Sequence, residues 1–192
     1  MDQLYVDEQT FDKINFSEDP LAKGEYEYCT FSHCNFSNAD LSKIRFIESE
    51  FIDCNLSNVN LAATSFQDVT FRSCKMLGMH FENCNAFGFA ANFENCQLNH
   101  SSFFQVKLNG ASFVDSQLQE VDFVGAHLKN ARIDHCDLLN AMFENTNLEK
   151  ADLSRSFNYS IDPEKNLIKG ARFSLPDVLG LLTKYNIKID IQ

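Results

Sequence analysis

The sequence predicts an all-β solenoid, a quadrilateral parallel β-helix of about seven coils that ends in a short helix and a terminal strand. Three observations support this prediction. A large apolar residue recurs every five positions over most of the chain. A small residue stands two places before it, as in CTFSHCNFSNADL at 29–41. The same phase then holds over 29 units, interrupted once by a two-residue slip.

The spacing of five excludes the ordinary secondary structures. We call the large apolar residue of each unit its centre; centres run from Phe11 to Ala86 and resume from Phe93 to Leu153. A helix would repeat its apolar residues at three and four positions, and a strand at two. A period of five fits a chain that turns a corner after each unit, so that four corners close a coil of about 20 residues. Successive coils would then pair as parallel ladders about 4.8 Å apart.

The chain divides into three predicted parts. We expect residues 1–10 to cap the N-terminal end, because solenoid ends expose ladder edges. Residues 11–155 are predicted to form the β-helix, with the two-residue bulge near 87–92. Residues 156–192 are predicted to form a loop, a helix and a strand that cap the other end or dimerise.

The predicted C-terminal helix follows SLPDVLGLLTKY at 174–185. Ser174 is the expected N-cap, with Pro176 in the first turn. The helix would carry an apolar stripe. It either plugs the last coil or forms a two-fold dimer contact, and it consists of Val178, Leu181, Leu182 and Tyr185.

The slip falls in NAFGFAANF at 85–93. An insertion of this kind is expected to bulge outward at one corner of the coil. Phe87 and Phe89 either tuck beneath the bulge or form an exposed apolar spot for a partner.

All seven cysteines stand two places before a centre, at the small inward position. We expect five of them to form one column on successive coils, with Ser116 in the single gap: Cys34, Cys54, Cys74, Cys96 and Cys136. One interpretation is a metal or redox ladder. The other, which we prefer, is a column of small buried residues, because free Cys behaves as a small hydrophobe and parallel thiols do not converge on one ion.

Composition excludes several classes of function. The formal charge of −11 argues against direct binding of nucleic acid or anionic lipid. No apolar run has the length of a membrane span, and the acidic start lacks a signal-peptide core. Seven cysteines without an export signal indicate reduced thiols and a cytoplasmic location. No catalytic, metal or cofactor motif is recognisable, so we expect neither an enzyme nor a cofactor.

Outward positions on one face of the predicted coil are rich in carboxylates. The acidic residues of this face are Glu50, Asp53, Glu94, Asp115, Asp134 and Asp152. Such a face either keeps a rod soluble or imitates the charge of a DNA backbone.

The repeat resembles the pentapeptide repeat family, whose unit is loosely A-(D/N)-L-x-x. ADLSK at 39–43 and ADLSR at 151–155 match this unit closely, and CNFSN at 34–38 is a near variant. The resemblance implies a right-handed quadrilateral β-helix. The break NCNAFGFAANF and the ending IDPEKN…FSLPDVLGLL look most like the quinolone-resistance (Qnr) and microcin-immunity branch.

Relatives in that branch are dimers shaped like a DNA duplex that bind DNA gyrase or topoisomerase IV and protect it from poisons. The resemblance therefore implies a non-enzymatic DNA mimic that binds a type II topoisomerase and forms a homodimer. The long projecting loops of some quinolone-resistance proteins are absent from this chain. The alternative is a structural scaffold with an unrelated protein partner.

Overall fold

The computed structural model describes residues 4–190 and contains short parallel strands joined by tight corners. The strands are β1 (Leu4–Asp7), β2 (Thr10–Asp12), β3 (Gly24–Glu27), β4 (Thr30–Ser32), β5 (Arg45–Ile47), β6 (Glu50–Ile52), β7 (Ser65–Gln67), β8 (Val69–Arg72), β9 (Ala91–Glu94), β10 (Ser112–Val114) and β11 (Arg132–Asp134). They form one four-stranded sheet and one seven-stranded sheet, and isolated parallel bridges complete the other sides.

The ladder register confirms the predicted coil. Phe31 pairs with Phe51 in the next coil, and the same separation of 20 residues recurs from coil to coil. The seven-stranded sheet has the order β2-β4-β6-β8-β9-β10-β11, which gives one strand for each of seven coils. The fold is therefore a parallel β-solenoid, as the five-residue period predicts.

The ladder extends beyond the predicted repeat at both ends. β1 pairs with β3 and supplies the first rung of its sheet, within the segment predicted as a cap. At the other end, parallel bridges still join Asn147 to Leu167 and Asp152 to Arg172.

Centres of successive coils stack face to face inside the solenoid. Phe51 is fully buried, and its ring centroid lies 4.8 Å from that of Phe31 and 5.1 Å from that of Phe71. A second column stacks Phe81 on Phe103 at 4.4 Å. Edge-to-face contacts join neighbouring columns. Stacking is possible because the ladder spacing of about 4.8 Å matches the separation of offset-stacked aromatic rings.

Most corners require an unusual backbone conformation. The residue two places after a centre has a positive φ at most corners, for example Asn38 at 57° and Asn58 at 56°. Asn, Asp and Gly adopt this left-handed conformation at lowest cost. This preference explains why these residues are frequent at the last position of the unit, a signal that the apolar pattern alone does not reveal.

The two-residue slip is accommodated between β8 and β9. Phe71 pairs with Phe93, and across this junction the separation rises to 22 residues. Of the two phenylalanines in the inserted segment, one tucks beneath the bulge and the other is exposed. Phe89 packs against the core, with its ring 6.4 Å from that of Phe66, whereas Phe87 is 81% exposed.

The predicted C-terminal helix is wrong. The segment forms two short 3-10 turns, Asp177–Leu181 and Thr183–Tyr185. Ser174 does not cap a helix, because its hydroxyl donates to the carbonyl of Ser154 in the preceding coil. Gly180 lies against the backbone of the last coil, where an added Cβ would be 2.0 Å from the carbonyl oxygen of Tyr159. This contact overrides helical propensity.

The predicted terminal strand is also not observed in the described residues. Asn186 has a left-handed conformation, and positions 187–190 form no ladder pair. Positions 191–192 lie outside the described residues. Within the described part of the chain, no helix combines the length and apolar character needed to cross a lipid bilayer.

We expect Phe51→Ala to lower the free energy of unfolding by about 3–5 kcal/mol, because it removes a ring stacked on both sides and leaves a cavity. Phe87→Ala is the matched control and should change stability by less than about 0.5 kcal/mol, since that ring is exposed. Urea denaturation measures both. Equal losses for the two variants would contradict the stacked core.

Candidate functional site

The cysteine column lies inside the solenoid. Five thiols are on successive coils of one side and are almost fully buried: Cys34, Cys54, Cys74, Cys96 and Cys136. Ser116 is buried in the remaining position of the column. Cys29 is buried at a neighbouring corner, and Cys84 is only half-buried beside the insertion.

Hydrogen bonds explain why this position favours Cys or Ser. The backbone N–H of Cys34 donates to Sγ of Cys54 in the next coil at 3.4 Å. Sγ of Cys54 in turn donates to the carbonyl of Phe31 in the preceding coil at 3.3 Å. In the gap, the N–H of Cys96 donates to Oγ of Ser116 at 3.0 Å. A small polar side chain at this position thus pairs with backbone N–H and C=O groups of the neighbouring coils. These groups are buried and would cost free energy without a hydrogen-bond partner.

Other corners satisfy the same N–H differently. The N–H of Ala39 donates to the carbonyl of Phe36 at 2.8 Å, which closes a turn within one coil. Because no side-chain partner is needed there, Ala suffices. This type of corner therefore accepts Ala, although Ser101 and Cys84 make the same turn, with their N–H groups donating to the carbonyls of Leu98 and Phe81.

All seven thiols are free, and Cys34 and Cys136 are unsuited to reaction. Burial raises the pKa of the Cys34 thiol and raises that of the Cys136 thiol to about 11. Since the thiolate is the reactive form, these groups are poor nucleophiles at neutral pH. Among residues 4–190, no cluster of three or more His, Cys, Asp or Glu is arranged to hold a metal ion.

The six carboxylates of the predicted acidic face differ in exposure. Asp53, Glu94 and Asp115 are exposed, and Glu50 and Asp152 are half-buried. Asp134 has only 6% of its side chain exposed, so the expectation that it points into solvent is wrong.

Arginine side chains neutralise much of this face. Arg72 bridges Glu50 on one side and Glu94 on the other, at 3.2 Å from the latter. Arg172 pairs with Asp152 at 2.8 Å. The pairs Arg72–Glu94 and Asp152–Arg172 join ladder partners and so follow from the register, whereas Glu50 reaches Arg72 diagonally from beside Thr70.

Asp134 is held by two arginines. Arg132 on the same strand and Arg155 in the next coil both contact its Oδ2 atom. His135 lies between this carboxylate and Asp115, with Nδ1 3.5 Å from Asp115 Oδ1. Asp134 thus organises a local charge network rather than presenting a free negative charge.

A second group of carboxylates lacks such pairing. Glu8, Glu48 and Asp68 stand at one corner of successive coils, all exposed and all with positive φ. Tyr28 occupies the same corner between Glu8 and Glu48, and its hydroxyl donates to Glu48 Oε1 at 3.1 Å. We call these three carboxylates the acidic corner. None of the three forms a salt bridge within residues 4–190.

Nearby tyrosines reflect the negative potential at this end of the solenoid. The Tyr5 hydroxyl donates to Glu27 Oε2 at 2.6 Å, and this hydrogen bond raises the pKa of Tyr5 to about 12. The hydrogen bond to Glu48 likewise raises the pKa of Tyr28. Sequence reasoning missed the acidic corner because it sorted residues by face, whereas these side chains project from the edge between two faces.

The predicted dimerisation stripe is divided by the 3-10 turns. Leu181 packs against the core of the last coil, and Val178 is half-buried. Leu182 and Tyr185 are 37% and 52% exposed. Together with Ile187 and Ile189, Leu182 borders an apolar groove of 340 Å³.

These features define a class of protein: a parallel β-solenoid with buried columns of aromatic rings and thiols and a regular outer surface. The sequence profile described as "Pentapeptide repeat region" matches residues 25–88 and 79–153. The chain belongs to the pentapeptide repeat family.

Two solved structures of QnrB1 share this fold. A trypsin-treated variant of QnrB1, a plasmid-mediated fluoroquinolone resistance protein, is 20% identical with a TM-score of 0.56, and the alignment covers 98% of each chain. Full-length QnrB1 is 18% identical with the same TM-score, over 95% of this chain and 100% of QnrB1. HetL from the cyanobacterium Nostoc sp. is 13% identical, with a TM-score of 0.46 over 88% and 85%. No curated protein sequence matches the chain.

The buried thiols should resist alkylation. Iodoacetamide under native conditions is expected to label at most one cysteine, Cys84, because the other six are buried. Intact-mass spectrometry, with peptide mapping, measures the extent and site of labelling. In urea all seven should react, which serves as the control. Rapid native labelling of several column thiols would contradict the inward placement.

Removal of the Asp134 carboxylate should destabilise the protein. Asp134→Ala leaves two arginines without their shared partner, and we expect a loss of about 2 kcal/mol or more, measured by thermal and urea denaturation. Asp115→Asn removes a charge from an exposed position of the same face and keeps a residue that tolerates the positive φ there, so its stability should lie within about 0.5 kcal/mol of the wild type. If the two variants were equally stable, the buried charge network would be refuted.

Proposed function

We propose that this protein is a non-enzymatic binding protein whose acidic rod docks on the DNA-binding surface of a type II topoisomerase such as DNA gyrase or topoisomerase IV. A basic groove that accommodates DNA is wide enough for a solenoid and attracts carboxylates through the same long-range field. The observation that carries the proposal is the acidic corner, which aligns three carboxylates without salt bridges along one edge of the solenoid.

The carboxylates of the acidic corner are more widely spaced than the phosphates of a DNA strand. Coils recur at about 4.8 Å along the axis, so Glu48 and Asp68 are one spacing apart and Glu8 and Glu48 are two, whereas phosphates of one strand recur at about 3.4 Å. Glu27 and Asp7 add charge beside the corner, and the whole chain carries −11. The protein would imitate the electrostatic potential of DNA rather than its individual contacts. Binding should therefore depend strongly on ionic strength.

Likeness to QnrB1 supports the choice of partner. That protein is described as a fluoroquinolone resistance protein, and it shares the fold of this chain over its whole length. Members of the branch that the sequence resembles bind gyrase. The insertion at 85–90 is short and carries no long projecting loop, so we propose binding to the enzyme as the primary activity and protection from quinolones as its consequence.

The ion pairs favour a second candidate, a structural scaffold with an unrelated partner. Arg72, Arg172 and the pair around Asp134 neutralise much of the predicted acidic face. A scaffold that binds through apolar contacts would use Phe104 and Met142, which are 40% and 51% exposed. Its binding would depend little on salt, which separates the two candidates.

We further propose that two copies associate through the C-terminal segment and that the protein acts in the cytoplasm. Leu182, Tyr185, Ile187 and Ile189 form an exposed apolar surface at the end of the solenoid. All seven cysteines are free, which fits a reducing compartment. Sedimentation that shows only monomer at micromolar concentration would refute the dimer.

The decisive experiment combines binding and supercoiling assays with purified gyrase. We expect binding at micromolar protein, with an affinity that falls by roughly tenfold or more between about 50 and 200 mM salt. Inhibition of supercoiling, or protection of the enzyme in the presence of a quinolone, should follow the same salt dependence.

Two triple variants locate the binding surface. The first, Glu8→Gln, Glu48→Gln and Asp68→Asn, removes the acidic corner. The second, Glu18→Gln, Asp19→Asn and Asp190→Asn, removes the same number of exposed charges elsewhere and is the matched control. The first should weaken gyrase binding by roughly tenfold and the second by less than about threefold. Equal effects would refute the acidic corner, and absence of any binding would leave the scaffold.

A further inference from the structure

The insertion between β8 and β9 creates an apolar groove beside the bulge. Residues 85–90 leave the ladder here. Lys107 therefore has a ladder partner only in the following coil, His127, and on the side of the preceding coil it faces the bulge. The resulting groove has a volume of 370 Å³. It is lined mainly by Phe81, Cys84, Phe89, Phe104 and Val106.

The walls of the groove are held in place by hydrogen bonds. The N–H of Asn85 donates to the carbonyl of Thr64 at 2.8 Å, and the N–H of Ala90 donates to the carbonyl of Phe66 at 2.9 Å. Between these anchors, Oδ1 of Asn85 accepts the N–H of Phe87 at 3.1 Å. The bulge is therefore a fixed wall, and the groove exists without a ligand.

Aromatic rings form the interior of the groove. Phe81 stacks on Phe103 at 4.4 Å, and the ring of Phe89 meets that of Phe81 edge to face at 6.3 Å. Phe104, 40% exposed, stands at the mouth. Grooves of about 300 Å³ or more with aromatic walls and few polar groups are typical of sites for small molecules.

The charged groups at the rim have different roles. Glu82 is already engaged, because its Oε1 lies 2.9 Å from Nδ1 of His80. Lys107 is exposed, and the lysine ion pairs within residues 4–190 involve other lysines. Its ammonium group is thus free to meet an anion at the edge of an apolar site.

We propose that this groove binds a small aromatic anion, with its rings between Phe89 and Phe104 and its acidic group on Lys107. The volume suits a ligand of about two rings. An anion is preferred over a neutral ligand because a charge-assisted contact with Lys107 adds to apolar burial. This binding is separate from the acidic corner and does not depend on the topoisomerase proposal.

The proposal can be tested with 8-anilinonaphthalene-1-sulfonate as the probe. Fluorescence and calorimetric titration of the full chain should show one saturable site assigned to the groove. N-phenyl-1-naphthylamine, which has the same rings without the sulfonate, should bind roughly tenfold more weakly. Equal affinity for the two probes would overturn the anion preference.

Variants identify the site. Ala86→Trp fills the groove from the exposed bulge and should abolish the assigned site. Lys107→Glu should weaken the sulfonate roughly tenfold, whereas Lys75→Glu, the matched charge change at an exposed position on another face, should leave it within about twofold. Thermal melting verifies that each variant is folded. No binding, or binding that is unchanged in both groove variants, would overturn the proposal. Loss with Ala86→Trp but not with Lys107→Glu would overturn the role of Lys107.

Discussion

The structure depends on one constraint, the pairing of each residue with the residue 20 positions later in a parallel ladder. This register places like side chains above one another along the axis. Phe31 therefore stacks on Phe51, and Cys34 contacts Cys54, because the register fixes the partner of each residue. A solenoid coil cannot bury its interior alone, so the stability of each coil comes from these contacts with its neighbours.

The same constraint organises the surface. Outward residues also stand in columns, so a charge at one position meets the charge above and below it. Where opposite charges are ladder partners, as Arg72 and Glu94 are, or lie diagonally across two coils, as Glu50 and Arg72 do, the charges cancel. Where the column holds like or neutral residues, as in the acidic corner with Tyr28, negative potential accumulates. Counting carboxylates on a face therefore overestimates the charge that a partner meets.

The fold could be predicted from the sequence because a five-residue apolar period has one simple geometric solution. The inward position of the cysteines followed from the same period, but the reason for Cys rather than Ala did not. That reason lies in the hydrogen bond from a backbone N–H to the side chain of the next coil, as between Cys96 and Ser116. The burial of Asp134 was missed because it depends on two arginines, one of them in another coil.

The C-terminal end was predicted least well, since local helix signals at Ser174 and Pro176 compete with contacts to the last coil. Backbone packing of Gly180 on Tyr159 decides the outcome, and no periodic signal indicates it. The most direct test of the account is the contact map in solution, measured as cross-coil nuclear Overhauser effects on labelled protein. The account predicts that Phe51 contacts Phe31 and Phe71, and that Phe71 pairs with Phe93 across the insertion. Contacts confined to residues three or four apart, or a register without the two-residue shift, in which Phe71 pairs with Ala91, would contradict it.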